Sequence, residues 1–82
     1  MRPVDFYLYF PERSRAEDAI RSLEGRGYSV TLRPGADGSW LALASKPVPS
    51  WQLAVVERRL TRLAARLSGE YDGYERDVAS AR

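Results

Sequence analysis

The side chains best able to do chemistry sit close together late in the sequence. Glu70, Asp72, Glu75 and Asp77 place four carboxylates in one short stretch, and Asp72 with Glu75 has the form of an acid–base pair. The rest of the chain withholds what such a pair needs. It contains no histidine and no cysteine, so nucleophile pairs of the Ser-His and Cys-His kind are excluded and the usual proton shuttle near neutral pH is missing. Disulfides and thiolate metal sites are excluded as well, which leaves carboxylates and carbonyls as metal ligands. No phosphate-cradling or dinucleotide glycine motif occurs; Gly35 and Gly38 flank a hairpin turn and need no other explanation. The expectation is a non-enzymatic protein with no cofactor and no metal.

Two other sets of residues suit binding. Tyr7, Tyr9 and Trp40 are aromatics that a sheet would set side by side, and stacking on such rings is worth ~1–3 kcal/mol per base. The stretch Gly38–Ala44 nevertheless lacks the leading basic residue and aromatic spacing of an RNA recognition motif. Large aromatics also suit plain cross-strand packing, or a homodimer that buries them sheet to sheet. The second set is Arg58, Arg59, Arg62 and Arg66, which cluster on one side of a helical wheel with Trp51 and Val55. Arg58, Arg62 and Arg66 are successive i,i+4 neighbours, so their charges repel unless a partner relieves them. Such a stripe could meet phosphate or an acidic protein segment. Its plainer reading is a solvated helix face, with Trp51 folded back over Pro47 and Pro49. The net charge is only +2, and every basic residue but Lys46 is arginine, a bias that reads first as a GC-rich genome.

The elements that must position these residues follow from periodicity. Val4–Phe10 alternates, with Val4, Phe6, Leu8 and Phe10 on one face and Asp5, Tyr7 and Tyr9 on the other, which predicts a strand ended by Pro11. Ser14–Gly25 predicts a helix, capped by Ser14 with Glu17 at capping-box spacing. Its stripe is Ala16, Ala19, Ile20 and Leu23, Glu17 pairs with Arg21, and Gly25 or Gly27 closes it. Tyr28–Arg33 and Trp40–Lys46 are two strands joined through the turn cluster 34–38, hence an antiparallel hairpin. Leu41 and Leu43, the larger apolar pair, are expected to face the core, leaving Trp40, Ala42 and Ala44 on the opposite face. A helix from Ser50 to about Ser68 carries the seam Leu53, Val56, Leu60, Leu63 and Leu67, and Gly69 stops it. Tyr71–Glu75 is a short last strand, and 76–82 reads as a flexible tail.

The order strand, helix, strand, strand, helix, strand predicts one α+β domain over residues 1–75. Its architecture is ferredoxin-like: a βαββαβ four-stranded antiparallel sheet with two helices on one face. The other face is left open, with the first and third strands at its centre.

Four segments of the chain also resemble a known family. Phe6-Tyr7-Leu8-Tyr9-Phe10-Pro11 leading into a helix, Gly27-Tyr28-Ser29-Val30, Trp40-Leu41-Ala42-Leu43-Ala44 and Gly69-Glu70-Tyr71-Asp72-Gly73-Tyr74-Glu75 together resemble the ribonuclease E inhibitor domain of the RraB type. The likeness runs from about Asp5 to Glu75, and Glu70–Tyr74 is its most specific piece. It implies a compact α+β domain that binds ribonuclease E or a related nuclease and lowers RNA cleavage without being an enzyme. Tyr71 or Tyr74 would pack under the second helix, with Gly73 allowing a bend. Familiar members are acidic, and an acidic inhibitor could engage Arg-rich segments of the nuclease, whereas this chain is mildly basic.

The leading expectation is therefore a protein-binding regulator of RNA cleavage. A single-stranded RNA-binding module and a homodimeric structural or ligand-binding module are the alternatives. No secretory signal is evident at the N-terminus and no apolar run approaches the roughly 20 residues of a membrane span, so the expected setting is a bacterial cytoplasm with no membrane partner.

Overall fold

The alternating run at the start becomes the spine of the sheet in a computed structural model of the chain, which describes residues 2–76. Strand β1 is Pro3–Phe10, helix α1 Arg13–Glu24, strand β2 Ser29–Pro34 and strand β3 Trp40–Pro47; a single 3-10 turn at Ser50–Gln52 leads into helix α2 Leu53–Arg66, and strand β4 is Glu70–Arg76. The strands lie in the order β2-β3-β1-β4, every pair antiparallel, so β1 and β3 are central. Helix α1 packs over β2 and β3, and α2 over β4 and β1. This is the expected ferredoxin-like α+β arrangement.

The core lies between the helices and one sheet face. Val4, Phe6, Leu8 and Phe10 of β1 are buried there with Ala16, Ala19 and Leu23 of α1 and Leu53, Leu60, Leu63 and Ala64 of α2. From β3 the buried residues are Ala42 and Ala44, not the leucines. The register explains why. Phe6 faces Ala44 and Leu8 faces Ala42, and directly opposed residues share a face. The expected assignment of β3 is therefore inverted: small residues lie beneath α1, where Ala16 and Ala19 permit close approach, and Leu41 and Leu43 turn outward.

Several local expectations change in the same physical terms. Helix α1 starts at Arg13 after Glu12, whose side chain makes no capping bond, so Ser14 lies inside the helix. Glu17 pairs with Arg13 and Arg21 with Asp18. Of the two glycines offered as the α1 stop, Gly27 takes the left-handed position, with φ 93°, and Tyr28 N–H closes back on Leu23 O at 3.1 Å. At the end of α2 that position belongs to Ser68, φ 62°, not Gly69. Gly69 is needed for another reason, because a Cβ there would collide with the Phe10 ring and the Tyr9 carbonyl oxygen. Arg76, expected in the tail, ends β4 opposite Val4 and donates to Ser50 Oγ at 2.9 Å. The remainder of that tail, 77–82, lies outside the described residues.

Strand β4 carries a bulge. Phe6 pairs with Tyr74 and Leu8 with Tyr71, so two steps along β1 match three along β4. An odd spacing would otherwise set Tyr71 and Tyr74 on opposite faces. The extra residue, with Gly73 at φ 108°, brings both rings to the helix side. Tyr74 packs on Phe6 with ring centroids 6.1 Å apart, and Tyr71 reaches under α2 to donate to Glu57 Oε2 at 2.7 Å. The stretch Glu70–Tyr74 is thus part of a bulged edge strand that turns two tyrosines toward the helix side.

Candidate functional site

The face away from the helices is built by alternation along the two central strands. Tyr7 lies opposite Leu43 and Tyr9 opposite Leu41, and all four side chains are partly exposed. Outward from these run Thr31 opposite Leu43 and Arg33 opposite Leu41 on β2, and Glu70 opposite Tyr9 on β4. The result is an apolar and aromatic centre with polar edges.

Trp40 is not part of it. It pairs with Phe10, so it faces the helix side at the sheet's end, where the Arg13 guanidinium lies over its ring at 5.2 Å. The open-face aromatics are Tyr7 and Tyr9, joined by Leu41 and Leu43, which sequence reasoning had sent to the core. A signal was available. Once the 34–40 turn is taken as the hairpin centre, Val30 and Leu32 must face Ala44 and Ala42, and core-facing β2 residues then demand core-facing alanines.

The β4 side of this face is acidic. Asp5 and Glu75 stand directly opposite each other, a like-charge pairing that costs stability in a sheet. Tyr7 donates to Glu75 Oε1 at 2.7 Å, and that bond to a carboxylate, with some burial, raises the phenol's pKa above its usual value. Asp5 and Glu75 take no part in an ion pair among the described residues. Glu70 and Asp72 line a shallow depression of about 600 Å³ with Tyr9, Asp37 and Ser39. Asp37 accepts from Ser39 Oγ at 2.7 Å, which holds its carboxyl below the usual range. The four late carboxylates are thus dispersed: Glu75 is engaged by Tyr7, Glu70 and Asp72 lie by Tyr9, and Asp77 lies outside the described residues. Among the described residues no three carboxylates gather closely enough to hold a metal ion.

The arginine set on α2 divides. Arg59, Arg62 and Arg66 line a groove of about 990 Å³ between α1 and α2, together with Arg26 and Lys46; Arg58 does not line it. None of the four α2 arginines has an ion-pair partner among the described residues, and Glu57 is occupied by Tyr71. Trp51 is 79 % exposed, so it stands in solvent and does not fold over Pro47 and Pro49. The contribution of Arg26, Lys46 and Tyr28 to this groove was not legible in the sequence, because it depends on how the end of α1 meets the end of β3.

Strand order and the packing of both helices against the same sheet face define the class: a ferredoxin-like α+β domain with an open sheet face. Within that class the chain belongs to the RraB family, described as regulator of ribonuclease activity B, which matches residues 1–75. No curated protein matches the chain. No helix among the described residues is long and apolar enough to cross a membrane.

Proposed function

We propose that this protein regulates a ribonuclease, ribonuclease E or a relative of it, without cleaving RNA itself, by laying its open sheet face on a basic segment of the nuclease. The observation that carries the reading is the patch of Tyr7, Tyr9, Leu41 and Leu43 on the two central strands, bordered on one side by Asp5 and Glu75. An aromatic and aliphatic centre with a charged rim is the usual anatomy of a protein interface. The opposed carboxylates supply what is missing on the partner side: an arginine set between Asp5 and Glu75 would replace their repulsion with charge-assisted hydrogen bonds. Family membership supports a ribonuclease as the regulated enzyme, and the setting proposed for that work is a bacterial cytoplasm.

The same features count against RNA and against a second copy on this face. Trp40 is turned away, leaving two tyrosines, one of them tied to Glu75, and the carboxylate border repels phosphate and also repels itself in a symmetric dimer.

The deciding experiment is calorimetry and an RNA-cleavage assay with the host's ribonuclease E. Wild-type protein is expected to bind and to slow cleavage. The Leu41→Glu/Leu43→Glu variant, which leaves the buried face untouched, is expected to lose roughly tenfold or more in affinity. No complex, or equal inhibition by that variant, removes this reading.

A further inference from the structure

On the opposite side of the sheet, and independent of the reading above, lies the groove between α1 and α2. Its walls carry five cationic side chains, Arg26, Lys46, Arg59, Arg62 and Arg66, and among the described residues not one carboxylate. Its floor is aliphatic, with Leu23, Val56, Leu60 and Leu63. We infer that this groove is a second docking site, which takes an acidic amphipathic helix from a partner protein: apolar side chains on the floor, carboxylates against the arginines.

Charge complementarity and spacing carry the inference. Five like charges around one groove raise the free energy of the unliganded protein, and among the described residues the three on α2 have no ion-pair partner. Arg59, Arg62 and Arg66 recur at three and four residues, a row two turns or about 10 Å long. A helix lying along the groove repeats its own carboxylates at that same interval, so several charge pairs form without distortion. The floor distinguishes a peptide from a nucleic acid. Tyr28 is its aromatic ring, and that ring is already engaged: the Lys46 ammonium lies over it at 4.8 Å and Phe6 packs against it in a T-shaped pair at 6.1 Å. Lys46 is held there by donating to Arg26 O at 3.0 Å. A base would have to displace Lys46 to stack there, whereas leucine or isoleucine side chains would find Val56 partly exposed on the floor.

The test uses the whole chain and a labelled peptide of about five helical turns, with leucines along one face and glutamates flanking them. Two probes accompany it: a scrambled peptide of the same composition and a single-stranded oligouridylate. The patterned peptide is expected to bind roughly tenfold tighter than the scrambled one, to shift the amide signals of Tyr28, Val56 and Leu60, and to weaken with salt. Arg59→Glu/Arg62→Glu/Arg66→Glu is expected to lose roughly tenfold or more, while Arg58→Glu, outside the groove, changes affinity by less than about twofold. Thermal melting checks that both variants fold, and the smaller change to glutamine at the three positions serves if the charge reversal does not. Equal binding of the scrambled peptide, an unaffected triple variant, no peptide binding, or tighter oligouridylate binding at the same residues would each overturn the inference.

Discussion

The Tyr71 phenol on β4 donates a 2.7 Å hydrogen bond to Glu57 Oε2 on α2, tying the bulged edge strand to the helix above it. Without the bulge, Tyr71 and Tyr74 would fall on opposite faces, and one of them would leave the core side. Tyr71→Phe keeps the ring and removes the bond. The expected cost is about 1–2 kcal/mol, seen as a melting temperature lower by ~4–8 °C per kcal/mol in a domain of this size. An unchanged melting temperature would mean that water serves Glu57 equally well.

Alkaline pH probes the same contact. Burial first, and then the bond to Glu57, raise the Tyr71 pKa above 10.0; burial raises that of Tyr28. The folded state therefore keeps protons that the unfolded chain loses above about pH 10, and stability falls as pH rises through that region. Below it both states are protonated and these groups contribute no pH dependence. Each phenol adds a slope of at most about 1.4 kcal/mol per pH unit, reduced by solvent because both rings are only partly buried. Denaturant midpoints measured from pH 8 upward (~8–11) should bend downward near pH 10, and less steeply in Tyr71→Phe.

Two glycines make separable predictions. Gly73→Ala strains a backbone at φ 108° and should cost about 1–3 kcal/mol. Gly69→Ala drives a methyl into the Phe10 ring and the Tyr9 carbonyl and should cost about 3 kcal/mol or more. Chemical denaturation ranks them, and the reverse order would show that the chain can shift at Gly69 more easily than the contacts imply.

The inverted β3 assignment is checked by size. Ala42→Leu overpacks a position with no exposed surface and is expected to lose about 1–3 kcal/mol. Leu41→Ala removes a partly exposed side chain on the open face and should lose only about 0.5–1 kcal/mol. Comparable losses in the two variants would contradict the face assignment.

Asp5→Asn should act in opposite directions on stability and binding. Removing one member of the Asp5–Glu75 pair relieves repulsion by about 0.2–1 kcal/mol, and the same change weakens the proposed complex with the nuclease. A variant that loses stability, or binds as well as the parent, would remove the role given to that pair.

Much of the fold was legible because it rests on short-range patterns. Val4–Phe10 alternates, Leu53–Leu67 repeats at helical spacing, and a short turn between two strands leaves little choice but a hairpin. The faces of β1 followed from one strand alone. The faces of β3 did not, since Trp40, Leu41, Ala42, Leu43 and Ala44 are all apolar and alternation is silent there. Residue size then pointed the wrong way: close helix approach prefers alanine in the core.

Surfaces were legible as sets of residues and not as places. The α2 arginines were recognised together, yet whether a given one meets the groove depends on where α1 ends and how Lys46 reaches Arg26, contacts between residues far apart in the chain. Asp5 and Glu75 lie at opposite ends of the sequence, and only strand pairing makes them neighbours.

The elements, their order and the buried side of β1 could be read from the residues alone, because those depend on periodicities of two and 3.6 residues within one segment. The register that sends Leu41 and Leu43 outward, the bulge at Gly73 and the division of the arginines emerge only in the folded chain, because each depends on which backbone groups pair across strands and which side chains fit between layers.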